Sequence, residues 1–440
     1  MTRPVETGVV TARQIFALAF PALGVLAATP LYLLLDTAVV GRLGAFELAA
    51  LAAGTTVQST VTTQLTFLSY GTTARASRLF GSGRRREAVA EGVQATWVGL
   101  FIGLLLATAV WILARPIALA LTGDEATADA SARWLHVAAF AIPLTLVTMA
   151  GNGWLRGVQN TRWPLYFTLA GVIPGAVLVP VLVGRFGLVG SAAANVVGVA
   201  VTATCFVVAL ARQHTGSWRP RWSVIVRQLV LGRDLIVRSL SFQVAFISAA
   251  AVAARFGTSS LAAHQIMLQL WNFITLILDS LAIAAQALTG AALGRGTVGV
   301  ARRVGTRVTV YSVIFAGFIG LVFAALAGVI PRIFTTDAAV LDALAGPWWL
   351  MIVMIILGGV VFALDGVLLG AGDAGYLRTI TIASVVFGFL PGVWISYAVD
   401  GGLTGIWAGL LAFIVIRMVA VVLRFRSMRW AVVHNVEGSS

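Results

Sequence analysis

Charge is scarce in this chain. Only 10% of its 440 residues are charged, against 59% hydrophobic, where a soluble domain carries roughly a quarter charged. So little charge cannot cover a water-facing surface, so most of the chain is expected to face lipid. Lysine is absent, which excludes the Gly-Lys-Ser/Thr phosphate loop and any drive by ATP through that motif. The single cysteine, Cys205, lies in an apolar run and cannot form an internal disulfide. Four scattered histidines and one cysteine supply neither a nucleophile–base pair nor a metal cluster at membrane depth. The expectation is therefore no enzyme, no catalytic residues, no metal and no organic cofactor. No small-residue cleavage motif follows the first long apolar segment, so no cleavable signal peptide is expected.

What charge there is is mostly arginine, and the net charge is +14. Such an excess can indicate nucleic acid, but its distribution indicates a membrane instead. Apolar runs of roughly 20 residues or more, enough to span a bilayer, fall near 14–40, 46–72, 88–113, 131–154, 163–184 and 187–210. A second set falls near 231–254, 259–290, 303–330, 343–369, 377–398 and 403–424, making twelve helices. One set of alternate loops, with the termini, holds twenty-three arginines, among them Arg3, Arg84, Arg156, Arg221, Arg303 and Arg429. The opposite loops hold six: Arg42, Arg115, Arg133, Arg185, Arg255 and Arg332. Positive charge gathers on the cytoplasmic side, so both termini are expected there, in a multi-pass protein of the plasma membrane. No nucleic-acid partner is expected.

The chain repeats itself at a fixed offset of 213 residues: Gly44 matches Gly257, Gly81 matches Gly294, Asp124 matches Asp337 and Gly157 matches Gly370. Two halves in the same order predict an all-α fold of two pseudo-symmetric six-helix lobes, with a binding site expected at the interface of the repeats. The expected division is 1–211 for the N-lobe, 212–230 for a cytoplasmic linker punctuated by Gly216 and Pro220, and 231–440 for the C-lobe.

Three acids fall within the apolar runs: Asp36, Asp279 and Asp365. A charge in the bilayer is expensive and marks an ion, proton or substrate path; packing beside polar neighbours is the alternative reading. Asp36 has Ala249 as its repeat mate, so the scaffold does not require an acid there. A carboxyl in a low dielectric is suited to taking up and releasing protons near neutral pH. Pro21 and Pro30 flank it in the same helix and permit a bend. In the eighth helix Gln265, Asn272, Asp279 and Gln286 recur every seven residues, with Gln269 one turn after Gln265. All lie on one face, which serves either interhelical hydrogen bonds or a water-filled cavity. Trp271, Trp154 and Phe273 are candidate aromatic surface for lipophilic or cationic ligands. Asp365 has Asn152 as its mate; Asp373 and Asn160, mates at helix ends, read as structural, and His136 and His264 as hydrogen-bonding interface residues.

These residues resemble the MATE (multidrug and toxic compound extrusion) family, in its DinF-like branch. "DTAVVGRLG" at 36–44 is similar to the family's first-helix signature, "LAAHQI" at 261–266 and the "DG…GAGD" run at 365–373 to motifs of its second half. The resemblance implies two six-helix lobes around a central cleft, and export of lipophilic or cationic molecules against inward proton or sodium flow. It further implies Asp36 as the proton-coupling acid, with Pro21, Tyr32 and Asn152 as polar or bending neighbours in an N-lobe pocket. The fifth helix departs from the family's Asn-x-x-x-Asp-Pro pattern: "GAVLVP" puts Gly175 and Val179 at those places. The acid used in the seventh helix by sodium-coupled relatives is also missing from "SFQVAFISAAA". Both departures favour proton over sodium coupling. The expected cavity and substrate path includes Gln265, Gln269, Asn272, Asp279 and Asp365, in a protein acting as a monomer on small molecules among membrane lipids. A flippase for lipid-linked precursors is the alternative, disfavoured because Arg417 is the only arginine read deep in a span.

Overall fold

The computed structural model describes residues 10–433, and Arg3 lies outside them. Helices make up nearly all of it. In the first half they are α1 (Ala12–Gly41), α2 (Ala45–Gln64), α3 (Phe67–Gly81), α4 (Arg85–Thr122), α5 (Glu125–Ala138), α6 (Ala141–Gly157), α7 (Arg162–Phe186) and α8 (Leu188–Gln213). The second half holds α9 (Trp222–Arg255), α10 (Thr258–Gly294), α11 (Val298–Ala325), the short α12 (Ile330–Phe334) and α13 (Ala338–Gly370). It closes with α14 (Ala374–Ser384), a π-helical turn at Val385–Phe389, α15 (Leu390–Ala398) and α16 (Gly402–Arg426).

Among the described residues ten helices are long and apolar enough to cross a membrane, or eleven when α5 and α6, bent by 46° at their junction, count as one. The pair α2–α3 stands where the second span was expected. Its hydroxyls and amides (Thr55, Gln58, Ser59, Thr62) lower its hydropathy, and the helix breaks at Leu65 and Thr66. Several of these threonines bond back to their own helix, as Thr55 Oγ1 does to the Leu51 carbonyl (2.9 Å) and Thr62 Oγ1 to the Gln58 carbonyl (2.9 Å).

The chain forms two compact units, one of Phe20–Gly232, the other of the described residues up to Ala19 together with those from Arg233 onward. The boundaries fall inside α1 and α9, not at the ends of a 212–230 linker. In the first unit the segment before α9 is pinned to α4: Gln94 Nε2 donates to the Arg219 carbonyl (3.1 Å) and Gln94 Oε1 accepts from the Arg221 amide (2.6 Å). Trp97 Nε1 donates to the Trp218 carbonyl (2.7 Å), and Gln228 Nε2 to Glu91 Oε2 (3.1 Å). In the second unit the start of α1 packs through Phe16 against Tyr311, ring centroids 5.9 Å apart, and Arg307 donates to the Val10 carbonyl.

The 213-residue repeat reappears as local structure. Asp124 and Asp337 both cap the helix that follows, accepting from the Thr127 and Ala339 amides at 2.8 Å each. Left-handed backbone recurs at the same offset, at Gly83 and Gly296, at Gln159 and Gly372, and at Gly187 and Asp400. The halves differ where helices break. The mates of α2–α3 and of α5–α6 are the unbroken α10 and α13, whereas the mate of α7 is the π-interrupted α14–α15.

Candidate functional site

Asp36 lies in the C-terminal part of α1 and is 2% exposed. The first turn of α8 brings Ser191 to it, and the serine hydroxyl donates to Asp36 Oδ2 at 2.8 Å. The same hydroxyl accepts from Trp134 Nε1 of α5 at 3.3 Å. Trp134 can approach because Gly54 of α2 faces its ring; a Cβ there would meet Trp134 Cε3 at 2.5 Å. Among the described residues no cation pairs with Asp36 and its Oδ1 has no hydrogen-bond partner. Its repeat mate, Ala249, is sealed in the apolar core of the other unit.

One turn before Asp36, Tyr32 opens onto a cavity of about 340 Å³ inside the first unit. The α2–α3 break, the polar face of α6 and the α7–α8 pair enclose it. Asn152 lines it as well, its Nδ2 donating to the Thr148 carbonyl (3.1 Å). Helices α7 and α8 close the far wall through glycine: a Cβ on Gly175 would lie 3.4 Å from both Tyr32 Cε2 and Gly198 Cα. Where the family resemblance implies an asparagine, Gly175 therefore leaves room for the tyrosine ring. Arg156 of α6, 5% exposed, is the only charged side chain lining the cavity among the described residues, and its Nη1 donates to Ser69 Oγ at 3.3 Å.

Tyr32 and Asn152 thus share one cavity, and Asp36 sits one helical turn behind Tyr32. Pro21 is half-buried in α1 and does not line the cavity. Of the eighth-span stripe, Gln265, Gln269 and Asn272 are exposed, Asp279 is half-buried and Gln286 is buried; none lines the cavity. Trp154 and Trp271 are core residues of the two units, so neither offers ligand surface; Phe273 is 60% exposed. Asp365 is ion-paired instead. Arg238 Nη2 donates to its Oδ2 (2.6 Å) and Arg417 Nη2 donates to the same oxygen. Both guanidinium groups also stand over the Phe242 ring, at 5.8 and 5.1 Å. Asp373 pairs with Arg424 (2.7 Å), His136 bonds the Trp111 carbonyl (3.1 Å) and His264 accepts from Trp407 Nε1 (3.2 Å). No group of three His, Cys, Asp or Glu side chains among the described residues could hold a metal ion.

Sequence reasoning passed over Ser191, Trp134 and Arg156. Arg156 was counted with the cytoplasmic arginines, yet its repeat mate is Leu369. The disagreement between halves that singled out Asp36 marks Arg156 too.

The MatE family model matches residues 21–181 and again 235–394, two stretches spaced like the internal repeat. Protein DETOXIFICATION 44, chloroplastic, of Arabidopsis thaliana is 30% identical over 86% of this chain and 75% of its own length. DNA damage-inducible protein F of Escherichia coli is 30% identical over 64% of each chain. A crystal structure of a MATE protein in the bent conformation superposes with a TM-score of 0.87 at 19% identity, over 95% of this chain and 94% of that one.

Proposed function

This chain belongs to the MatE family of multidrug efflux transporters, not enzymes, and on that premise we propose that it exports small lipophilic molecules in exchange for protons bound at Asp36. The observation that carries the reading is the setting of Asp36: a buried carboxylate held by one hydroxyl, its other oxygen without a hydrogen-bond partner among the described residues. An acid with a fixed cationic partner is locked in its charged form; one held by a serine can exist in both. When Asp36 takes up a proton, the charge it presents to Ser191 vanishes, and the bond it accepted weakens. The change is felt one turn away at Tyr32, one of the α1 residues that line the cavity. Pro21 and Pro30 each remove a backbone donor from α1, so the helix can bend in response.

Sodium is less well served. Position 175 is glycine and position 179 valine, so α7 brings no side-chain oxygen from either. A lipid-linked precursor is also a poor fit, because a cavity of about 340 Å³ lies at the small end for drug-sized ligands. In this reading α2–α3 is a twelfth crossing, both termini are cytoplasmic, and the protein works in the plasma membrane. The test is uptake of a lipophilic fluorescent dye into inside-out vesicles under separately imposed proton and sodium gradients. The proton gradient alone should drive it, and Asp36→Asn should abolish the driven component. Undiminished proton-driven uptake in Asp36→Asn overturns the assignment.

A further inference from the structure

Two hollows of the first unit adjoin at one end of its helices. One, of about 610 Å³, lies at the start of α4 and is lined by Arg84, Arg85, Arg86 and Glu87. The other, of about 380 Å³, runs between α7 and α8 and is lined mostly by apolar side chains, with Arg212 where α8 ends. Gln213 lines both, and its Oε1 accepts from Arg85 Nη2 at 3.4 Å. Four arginines and one glutamate therefore stand at the mouth of an apolar groove. Glu87 pairs with Arg84. No ion pair takes up Arg85, Arg86 or Arg212 among the described residues.

Packing fixes the groove. Leu155 on its wall belongs to a buried apolar cluster, and Phe167 stands edge-on to Phe206 of that cluster, ring centroids 5.1 Å apart. Trp163 packs on Phe167 at 5.5 Å and is 53% exposed. With the exposed Tyr166 it sets aromatic rings at the start of α7, as found where helices meet lipid headgroups. The basic hollow and the apolar groove thus straddle the headgroup boundary.

The repeat shows that the scaffold requires neither feature. The mates of Arg84, Arg85 and Arg86 are Thr297, Val298 and Gly299, and the mate of Arg212 is Phe425. In the second unit Phe425 stacks on Trp430 at 5.5 Å and faces Gly305, where a Cβ would meet its ring at 2.5 Å. Tyr376, the mate of Trp163, is tied to the Ala420 carbonyl (2.9 Å). That half fills the place with its own side chains.

Within a bilayer such a groove cannot select by apolarity, because lipid tails are as apolar as its walls. Selection must come from charge. A guanidinium gives phosphate paired hydrogen bonds, and basic residues at the membrane surface attract anionic lipid. A soluble anion would use the arginines and leave the groove empty. A zwitterionic lipid would use the groove and bring its own cation against the arginines.

We propose that these two hollows form a binding site for one anionic phospholipid, its phosphate held by Arg85, Arg86 and Arg212 and one acyl chain laid along the groove between α7 and α8. The test is native mass spectrometry of the purified full-length protein, with phosphatidylglycerol and phosphatidylcholine of identical acyl chains as probes. Phosphatidylglycerol should be retained as a single adduct about tenfold more strongly than phosphatidylcholine. The double variant Arg85→Gln, Arg86→Gln should lose that preference, about tenfold or more being the scale for two arginines at a membrane surface. Ala209→Trp fills the groove and keeps every arginine, and it should displace phosphatidylglycerol as well. Cys205 lines the groove and is the only cysteine, which gives a readout that needs no substitution. Its alkylation by N-ethylmaleimide should slow when phosphatidylglycerol is added and not when phosphatidylcholine is. Equal retention of the two lipids, displacement of phosphatidylglycerol by equimolar glycerol phosphate, or unchanged retention in both variants overturns the proposal.

Discussion

Ser191 and Trp134 determine how Asp36 is held, and they do so in series. The indole N–H donates to the serine oxygen, and the serine hydroxyl donates to the carboxylate. Removing the middle member leaves both neighbours without a buried partner, whereas removing the outer one leaves the bond to Asp36 intact. Ser191→Ala should therefore lower thermal stability by an amount corresponding to about 1–3 kcal/mol, and it should move the pH profile of proton-driven transport. Trp134→Phe keeps a ring against Gly54, should be milder in stability and should leave that pH profile where it is. The pair is read by thermal unfolding of the purified protein and by transport across a pH series. A profile that moves with Trp134→Phe but not with Ser191→Ala would show that the serine does not orient the acid. Sequence alone could not supply this chain of contacts, because Ser191 and Trp134 lie 155 and 98 positions from Asp36 and nothing in their local patterns marks them.

At the scale of helices, two buried acids that look alike in sequence separate by what packs against them. Asp36 on α1 has a hydroxyl. Asp365 on α13 has guanidinium groups from α9 and α16, clamping three helices of the second unit together. Breaking a buried ion pair from one side is expensive, about 3–5 kcal/mol, because it leaves charge without compensation. Asp365→Asn strands two arginines and should lower the unfolding temperature of the purified protein substantially. Asp36→Asn keeps an oxygen to accept from Ser191 and should unfold close to wild type while losing driven transport. Equal stability losses in the two variants would contradict the division of roles. Sequence showed both acids to be in the membrane and both to lack an acidic mate, but the partners of Asp365 come from helices 127 and 52 residues away. Helix breaks were equally illegible. The hydroxyl-rich run at 55–66 reads as a single polar-faced span, and its break at Leu65 and Thr66, which helps enclose the cavity, depends on tertiary packing that propensity does not encode.

Across the whole molecule, the features legible in sequence were the periodic ones. The apolar runs became helices, the loop acids Asp124 and Asp337 became N-caps, and the offset of 213 residues returned as matched left-handed turns such as Gly83 and Gly296. These are local consequences of residue type, so each half writes them independently. The residue proposed to carry the proton is one where the halves differ: Asp36 stands opposite Ala249. The arginine asymmetry also predicts an orientation that can be measured directly. Cys205 is the only cysteine, so a Cys205→Ser background permits single cysteines at chosen loops. Ser82 between α3 and α4 and Ser217 before α9 belong to the arginine-rich loops; Thr335 between α12 and α13 belongs to the arginine-poor ones. Positive charge is retained on the cytoplasmic side. Ser82→Cys and Ser217→Cys should therefore react with a membrane-impermeant maleimide in inside-out vesicles and be protected in intact cells, with Thr335→Cys behaving in reverse. Because Ser82 and Ser217 are separated by α4 through α8, labelling both from the same side requires an even number of crossings between them. That condition holds when α5 and α6 form one bent span, giving four crossings, and fails when they form two. Labelling of Ser82→Cys and Ser217→Cys from opposite sides would therefore break both the orientation and the treatment of α5–α6 as a single crossing.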